Sequence, residues 1–103
     1  MKLLNRKLID EFIGKHPEYR PALERWMSVA EAASWKTFID IKKSCNSADY
    51  VKGFVVFDIQ GNHLRLIAVV TFREGTLYIT HLFTHKEYDT WSLRLSKKKG
   101  KQV

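Results

Sequence analysis

The sequence predicts an α+β fold in which an N-terminal helical hairpin packs on one face of an antiparallel β-sheet. Apolar residues recur at helical spacing in the first third of the chain and alternate with a period of two from residue 53 onward. The helical and strand patterns come in separate blocks, which is typical of α+β proteins. A chain of 103 residues with 45% hydrophobic residues suits a single domain. We predict that domain over residues 1–96, followed by a basic tail over residues 97–103.

The N-terminal region has the pattern of a short strand followed by two amphipathic helices. Residues 2–4 are candidates for the strand, and Asn5 offers an N-cap oxygen to the first helix. Gly14 and Pro17 are expected to end that helix, and Pro21 suits the first turn of the second. The apolar stripes consist of Leu8, Ile9, Phe12 and Ile13 in the first helix and of Leu23, Trp26, Met27 and Ala30 in the second. Two short helices joined by few residues predict a hairpin.

The segment from Ser34 to Tyr50 has the weakest pattern. Trp35, Phe38 and Ile41 permit one helical turn, and residues 44–47 are typical of a loop. The pattern assigns no strand to this segment.

The C-terminal half predicts an antiparallel meander of three strands. They begin at Gly53, His63 and Thr76, with turns at Gly61-Asn62 and Glu74-Gly75. In the middle strand one face is apolar and is expected to meet the helices; it consists of Leu64, Leu66, Ala68, Val70 and Phe72. Arg65 then lies on the face that the helices leave open, either as a functional group or as an ordinary solvated arginine. His81 is expected on a buried or edge face with Leu77, Ile79 and Phe83.

The positive charge is concentrated at the C-terminus. The net charge is +7, and residues 90–103 contribute +5 of it with no acidic residue. A polyanion would therefore be attracted mainly to this end, and nucleic acid is the commonest such partner. The alternative interpretation of residues 97–103 is a disordered solubilising tail.

Cysteine usage and hydropathy indicate a cytoplasmic protein. Cys45 is the only cysteine, so an internal disulfide is excluded and a reducing compartment fits. No apolar run approaches the roughly 18 residues that a membrane span needs. The N-terminus also lacks the apolar region of a signal peptide. We expect no membrane partner.

A polar cluster follows the third predicted strand. Residues 84–89 bring an imidazole, an ammonium group, two carboxyl groups and a phenol within six positions, which is a high density of proton-transfer groups. Spacing alone favours a different interpretation, the capped start of a short final helix, with Thr84 as N-cap, Glu87 as the acid of a capping box, and Tyr88 and Trp91 packing inward; the two interpretations are compatible. A metal site is a further alternative, with His81, His85, Glu87 and Asp89 as possible ligands, but residues 81 and 85 on an extended strand lie about 13 Å apart.

Two motifs resemble those of HigB-type toxins, which are related in fold to the RelE toxins. Residues 61–66, Gly-Asn-His-Leu-Arg-Leu, are similar to a Gly-Asn-x-x-Arg-Leu signature, and residues 84–89 are similar to a Thr-His-x-Glu-Tyr-Asp signature. The resemblance continues upstream through Trp35-Lys36 and Asp40-Ile41-Lys42. It covers nearly the whole chain in matching order and spacing.

The resemblance implies a RelE-like fold and the toxin component of a type II toxin-antitoxin module. Such a toxin is an mRNA interferase, an endoribonuclease that cuts mRNA on translating ribosomes without a metal or other cofactor. It also implies a HigA-like helix-turn-helix antitoxin as partner, in a complex expected to be a heterotetramer.

Three residues are the expected catalytic group under this resemblance. RNA carries its own nucleophile, the 2′-OH, so a nuclease needs to remove that proton, neutralise the phosphate and protonate the departing 5′ oxygen. We assign Arg65 as phosphate clamp, His85 as acid or base, and Tyr88 as base-stacking or proton-relay residue. Further RNA-binding candidates are Asn62, Lys86, Glu87, Arg94, Lys97, Lys98, Lys99 and Lys101. The competing hypotheses are a non-catalytic RNA-binding module that uses the open sheet face and the tail, and a metal-dependent hydrolase.

Overall fold

The structure, a computed structural model, describes the backbone of residues 1–101 and the side chains of residues 1–95. The elements in chain order are β1 (Lys2–Leu4), α1 (Lys7–Lys15), a 3-10 turn (Pro17–Tyr19), α2 (Arg20–Ala32), α3 (Phe38–Ser44), β2 (Asp49–Val51), β3 (Phe54–Ile59), β4 (Leu64–Thr71), β5 (Thr76–Thr84) and α4 (His85–Lys101). Among the described residues, no helix combines the length and the apolarity needed to cross a membrane.

The strands form one five-stranded sheet in the order β1-β5-β4-β3-β2. The pairs β2–β3, β3–β4 and β4–β5 are antiparallel, which confirms the predicted meander. The prediction of a purely antiparallel sheet is wrong, because β1 pairs with β5 in parallel. Helices α1 to α3 and strands β2 to β4 lie between β1 and β5 in sequence. A long connection of this kind permits parallel pairing.

The core lies between the first three helices and one face of the sheet. Both predicted apolar stripes contribute to it: Ile9 and Ile13 from α1, and Leu23, Trp26, Met27 and Ala30 from α2 are buried. Phe57 of β3 is central, since the Trp26 ring meets it edge-on at 5.2 Å and the Trp35 ring stacks on it at 6.1 Å. Helix α2 and the segment that follows it are therefore held against the sheet by aromatic contacts as well as aliphatic burial.

The weakly patterned middle segment contains a helix and a strand. Helix α3 begins with a complete capping box, in which Asp40 N–H donates to the Thr37 hydroxyl and the Asp40 carboxylate accepts from Thr37 N–H. Strand β2 was missed by the sequence analysis. A two-residue turn joins it to β3, and its residues Lys52 (φ +50°) and Gly53 (φ +88°) adopt the left-handed conformation that tight hairpins require.

One local prediction in this region of the fold is wrong. Asn5 does not cap α1; it has φ +69°, and its side-chain amide donates to the Ile79 carbonyl at 2.8 Å, just beyond the end of the β1–β5 pairing. The Asn5 side chain therefore adds a hydrogen bond to the edge of β5 that lies next to β1, and it does not cap α1. The predicted turn at Gly61-Asn62 is present between β3 and β4, with positive φ values on Gln60 and Gly61.

A β-bulge in β5 changes which residues share a face. Ile67 pairs with His81 and Ala68 pairs with Ile79, so Thr80 is the extra residue. The prediction that His81 shares a face with Leu77, Ile79 and Phe83 is therefore wrong for Leu77 and Ile79 and correct for Phe83, whose ring stacks on His81. Leu77 and Ile79 point into the core. His81 lies on the opposite face of the sheet, as does Ile67, its partner in β4.

Helix α4 covers part of the face that the first three helices leave open. The Trp91 ring contacts the rings of Phe54, His81 and Phe83 at centroid distances of 5.4 to 5.8 Å. Val56 and Ile67 are fully buried although they lie outside the main core. The open face is thus occupied at its centre by a second, smaller aromatic cluster.

Helix α4 is longer than the short final helix that the sequence predicted. Its backbone continues to Lys101, past the predicted start of the tail at residue 97. Leucine, arginine and lysine favour helix, and the segment contains no proline. Lys97, Lys98, Lys99 and Lys101 are predicted to bind RNA, and their side chains lie outside the described residues.

Candidate functional site

Arg65 is held in a defined orientation on the second face of the sheet. Its Nε lies 3.1 Å from Asp58 Oδ1, and Asp58 is its direct partner across β3 and β4. Its Nη1 donates to the Asn62 carbonyl at 2.9 Å and approaches the Leu64 carbonyl at 3.4 Å. With 14% of the side chain exposed, Arg65 is not an ordinary solvated arginine.

The Tyr88 ring covers the guanidinium of Arg65 from the side of α4. The distance from Arg65 Cζ to the ring centroid is 5.5 Å, which is a cation–π contact. Within the described part of the chain, Nη2 is the one nitrogen of this guanidinium with no protein acceptor. The two N–H groups of Nη2 are therefore available to a phosphate, while the other nitrogens hold the group in place.

Tyr88 is kept in its protonated form by its surroundings. Burial raises the pKa of its phenol above the ordinary value, and the carboxylates of Asp49 and Asp58 raise it further. Arg65 and a hydrogen bond with Ser92 lower the pKa; they act less strongly than burial and Asp49, and more strongly than Asp58. These surroundings favour the protonated phenol over the phenolate.

His85 is the first residue of α4 and is exposed. Its backbone N–H donates to the His63 carbonyl at 3.1 Å, which places His85 beside the turn that precedes Arg65. Its Nε2 lies 3.6 Å from Asp89 Oδ2, one helical turn further on, and both side chains are more than half exposed. Asp89 therefore restricts the orientation of an imidazole that solvent and a substrate can reach.

The predicted capping box at the start of α4 is present. Thr84 N–H donates to Glu87 Oε1 at 2.9 Å, and Glu87 N–H donates to the Thr84 hydroxyl at 3.3 Å. Glu87 thus stabilises the helix end that carries His85 and Tyr88. Residues 84–89 combine both interpretations of the sequence, since the cap sets the position of the proton-transfer groups.

His81 is an additional residue of this face that the sequence analysis placed elsewhere. The Thr80 hydroxyl donates to the Ile67 carbonyl at 3.1 Å, so the 3.0 Å contact between His81 Nδ1 and this oxygen requires His81 Nδ1–H as donor. Burial lowers the pKa of the imidazole. A neutral imidazole with an unprotonated Nε2 follows, stacked against Phe83 at 5.1 Å.

The remaining candidates differ in what they offer. Asn62 contributes its backbone carbonyl to Arg65, and Lys86 is exposed on the first turn of α4. Arg94 is exposed and lines a groove beside Phe83 and Trp91. The side chains of the four tail lysines lie beyond the described residues.

Asp58 is a site residue that sequence reasoning did not select, whereas Asp89 was considered there only as part of the polar cluster and as a possible metal ligand. Asp58 was recognisable in principle, because the turn at residues 60–63 sets the register that pairs it with Arg65. Asp89 follows His85 by four residues, which is the spacing of neighbours on a helix.

The acidic and imidazole groups do not gather into a ligand set. Among the side chains of residues 1–95, no three His, Cys, Asp or Glu residues lie close enough to share a metal ion. Glu87 is engaged by the Thr84 backbone and Asp89 by His85. The four residues considered as metal ligands are thus divided among three separate local contacts.

The fold and site have the features of a known class of toxins. Residues 19–91 match the family model described as HigB_toxin, RelE-like toxic component of a toxin-antitoxin system. The matched range includes α2, the complete meander and the first turns of α4, and so contains Asp58, Arg65, His85 and Tyr88. The class of protein is therefore a RelE-like toxic component.

Curated relatives give the same result over a longer range. The mRNA interferase toxin HigB of Escherichia coli (strain K12) and the mRNA interferase HigB of Shigella flexneri are each 30% identical to this chain over 105 residues, covering 99% of this chain and 100% of the relative. The mRNA interferase HigB of Escherichia coli O6:H1 is 26% identical over 92 residues, covering 86% of this chain and 89% of that protein. The chain belongs to the HigB toxin family.

Proposed function

We propose that this protein is an mRNA endoribonuclease that cuts mRNA on the ribosome with the RNA 2′-OH as nucleophile. The observation that carries the proposal is the fixed Arg65 guanidinium, which offers Nη2 beside a protonated phenol. The names of the relatives, mRNA interferase HigB, support the substrate class. As part of a toxin-antitoxin system, the toxin acts in the cytoplasm and is neutralised by a HigA-like antitoxin in a heterotetramer.

The proposed reaction requires no group beyond those of the protein and the RNA. The 2′ oxygen attacks the adjacent phosphorus, the bond to the 5′ oxygen breaks, and a 2′,3′-cyclic phosphate and a 5′-hydroxyl result. One proton leaves the 2′-OH and one reaches the 5′ oxygen. Arg65 neutralises the charge that develops on the phosphoryl oxygens, where a fixed cation costs little reorganisation.

His85 and Tyr88 divide the proton transfers in this proposal. His85, exposed and oriented by Asp89, removes or returns a proton through its imidazole. Tyr88, whose protonated phenol is favoured by burial, takes the role of proton relay beside Arg65. Its ring is also placed to stack on a base next to the scissile phosphate.

The test is induction of the chain in bacteria, with primer extension on cellular mRNA. The wild-type protein is expected to arrest translation and to create new mRNA 5′ ends, whereas the double variant R65A/H85A is expected to be harmless. The variant R25A/R73A removes two exposed arginines far from the site and should stay toxic. Undiminished toxicity of R65A/H85A contradicts the site assignment, and a harmless wild type contradicts the function.

The same experiment separates the second candidate function, a non-catalytic RNA-binding module. The charge of +5 on residues 90–103 favours it. Such a module protects RNA in a footprint and produces no new 5′ ends. Cleavage products in the wild type exclude it.

A further inference from the structure

His63 is an exposed histidine in the turn that leads into β4. Hydrogen bonds fix its backbone on both sides: its N–H donates to the Gln60 carbonyl at 3.2 Å, and its carbonyl accepts from the backbone N–H of His85 at 3.1 Å. The imidazole is therefore attached to a defined point of the chain while solvent and a substrate can reach it.

The ladder between β4 and β5 places His63 opposite His85. Leu64 pairs with Thr84 in this ladder, and the bond from His85 N–H to the His63 carbonyl continues it by one position beyond the two strands. Residues at a hydrogen-bonded position of an antiparallel ladder have Cα atoms about 5.5 Å apart. The two imidazoles thus belong to neighbouring backbone positions on two different segments.

His63 lies on the same face of the sheet as Arg65. Leu64 between them is fully buried in the core, and side chains alternate between the faces of an extended chain. The Arg65 guanidinium turns back toward His63, because Nη1 donates to the carbonyl of Asn62, the preceding residue. A phosphate bound at Arg65 Nη2 therefore lies at the end of the sheet where His63 and His85 meet.

The proposed cleavage needs a proton transfer on each side of the phosphorus. The attacking 2′ oxygen and the departing 5′ oxygen lie roughly in line, so one side chain does not serve both oxygens in the same step. An imidazole both accepts and donates protons near neutral pH. Tyr88 is less suited to a direct transfer, because its hydroxyl is hydrogen-bonded to Ser92 and its ring covers Arg65.

We propose that His63 and His85 form the acid–base pair of the cleavage, with one imidazole on each side of the phosphate held by Arg65. One imidazole takes the proton of the 2′-OH as the bond from the 2′ oxygen to phosphorus forms. The other gives a proton to the 5′ oxygen as its bond to phosphorus breaks, and exchange with solvent restores both rings. The inference rests on the proposed endoribonuclease function and adds His63 to it as a catalytic residue.

The geometry is tested without the ribosome by NMR titration of the labelled protein with inorganic phosphate at constant pH. The imidazole C–H resonances of His63 and His85 should both shift as phosphate binds, and R65A should abolish both shifts. The resonance of His16, which follows α1 on the other face of the sheet, should stay in place. An unmoved His63 resonance overturns the inference.

The catalytic role is tested by single-turnover cleavage of ribosome-bound mRNA across pH. The wild-type rate should follow a bell-shaped profile, because one group acts protonated and the other unprotonated. H63Q should lower the rate about 10²- to 10⁴-fold, the usual contribution of one acid or base, and should remove one limb of the bell. The control H16Q makes the same change outside the site and should match the wild type. A reduced rate with an unchanged bell shape would mean that His63 acts only on the structure, which contradicts the proposal.

An mRNA with sulfur in place of the scissile 5′ oxygen tests the division of the two proton transfers. A thiolate leaves without being protonated, so the loss of the acid no longer slows cleavage of this substrate. Of the variants H63Q and H85Q, one should regain nearly the wild-type rate and the other should stay slow. Recovery of both variants, or of neither, excludes an acid–base pair made of these two residues.

The wild-type protein separates this inference from the function on which it rests. If it cuts ribosome-bound mRNA and H63Q cuts at the same rate with the same pH profile, the role of His63 is wrong and the endoribonuclease stands. If the wild-type protein creates no new 5′ ends, the endoribonuclease and the catalytic role of His63 are both wrong.

Discussion

At the scale of single residues, the site is defined by how Arg65 is held. An exposed arginine on a strand samples many rotamers, and a phosphate that binds it must fix them. Here Asp58, the Asn62 carbonyl and the Tyr88 ring fix the guanidinium in advance. Asp58 is therefore a positioning residue, which acts on the reaction through Arg65.

The variant D58N tests this role. Asparagine keeps the shape of Asp58 but removes the charge that orients Arg65, so we expect kcat for mRNA cleavage to fall roughly tenfold to a hundredfold. The apparent KM should not rise, because removal of a carboxylate makes the surface more attractive to RNA. Steady-state cleavage kinetics on ribosome-bound mRNA provide both values.

The control for D58N is D10N, which makes the same chemical change on exposed Asp10 of α1. D10N should behave as the wild type in both parameters. A D58N protein with the wild-type kcat would show that Arg65 needs no partner to act.

His81 gives the protein a pH-dependent stability. Burial lowers the pKa of the folded-state imidazole below 6.5, so between these two pKa values the unfolded chain binds more protons than the folded one. The folded state thus loses stability as pH falls below about 6.5 and reaches the full loss below the folded-state pKa. Above 6.5 the imidazole is neutral in both states and contributes no pH dependence.

The measurement is the free energy of unfolding by urea at several pH values between 5 and 8, for the wild type and for H81Q. Glutamine does not titrate, so the stability of H81Q should fall less steeply between pH 7 and pH 5. A constant offset between the two curves reports lost packing against Phe83 and Trp91. Two parallel curves would contradict a coupling between His81 protonation and folding.

At the scale of elements, α4 connects the sheet to the chemistry. Its first turn is fixed by the Thr84–Glu87 capping box, and its aromatic side chains pack on the second face of the sheet. The position of His85, the first residue of the helix, is set by this cap. The helix end is therefore structural and functional in the same six residues.

Removal of the cap hydroxyl should loosen this helix end. We expect T84A to lower the free energy of unfolding by about 1 kcal/mol, the usual cost of losing an N-cap side chain. Its matched control T84S retains the hydroxyl and should stay within a few tenths of a kcal/mol of the wild type. Urea denaturation followed by circular dichroism measures both; equal stability of T84A and T84S would show that the cap contributes nothing.

The periodic elements of this fold were predictable from the sequence. Helical spacing located the stripes of α1 and α2, and alternation located β3, β4 and β5, because a buried face imposes its period on the residues that form it. Strand β2 has only three residues, too few to show alternation. The turn residues Lys52-Gly53 were its only local signal.

The site was predictable in its sequence position but not in its full membership. Residues 84–89 and Arg65 were identified from polar density and from resemblance. His81 was assigned to the wrong face because a β-bulge at Thr80 leaves no trace in an alternating pattern. Asp58 was overlooked because its role depends on a contact across two strands.

At the scale of the whole molecule, most of the net positive charge lies in the C-terminal segment that directly follows His85 and Tyr88. Residues 90–103 carry +5 of the net charge of +7. The described backbone of this segment, up to Lys101, continues the helix that begins with His85. The remainder of the chain is nearly neutral. A polyanion approaching the protein is thus attracted to the element that carries His85 and Tyr88.

This arrangement predicts that the tail lysines contribute affinity for RNA without choosing its sequence. Replacing Lys97, Lys98, Lys99 and Lys101 by glutamine preserves chain length and helix propensity while removing four charges. The slope of log K against log salt for single-stranded RNA should decrease by up to about 3, since each lost phosphate contact contributes about 0.7. Binding to single-stranded RNA and cosedimentation with ribosomes across salt concentrations measure the effect.

The matched control replaces Lys7, Lys15, Lys36 and Lys43, four exposed lysines outside α4, by glutamine. Both variants have the same net charge of +3, because each loses four positive charges from a net charge of +7. If charge position matters, only the tail variant changes the salt slope, since contact with phosphate and not distant attraction releases counterions. Equal losses in the two variants would mean that net charge alone governs binding. The position of the lysines on α4 would then have no role in bringing RNA to Arg65.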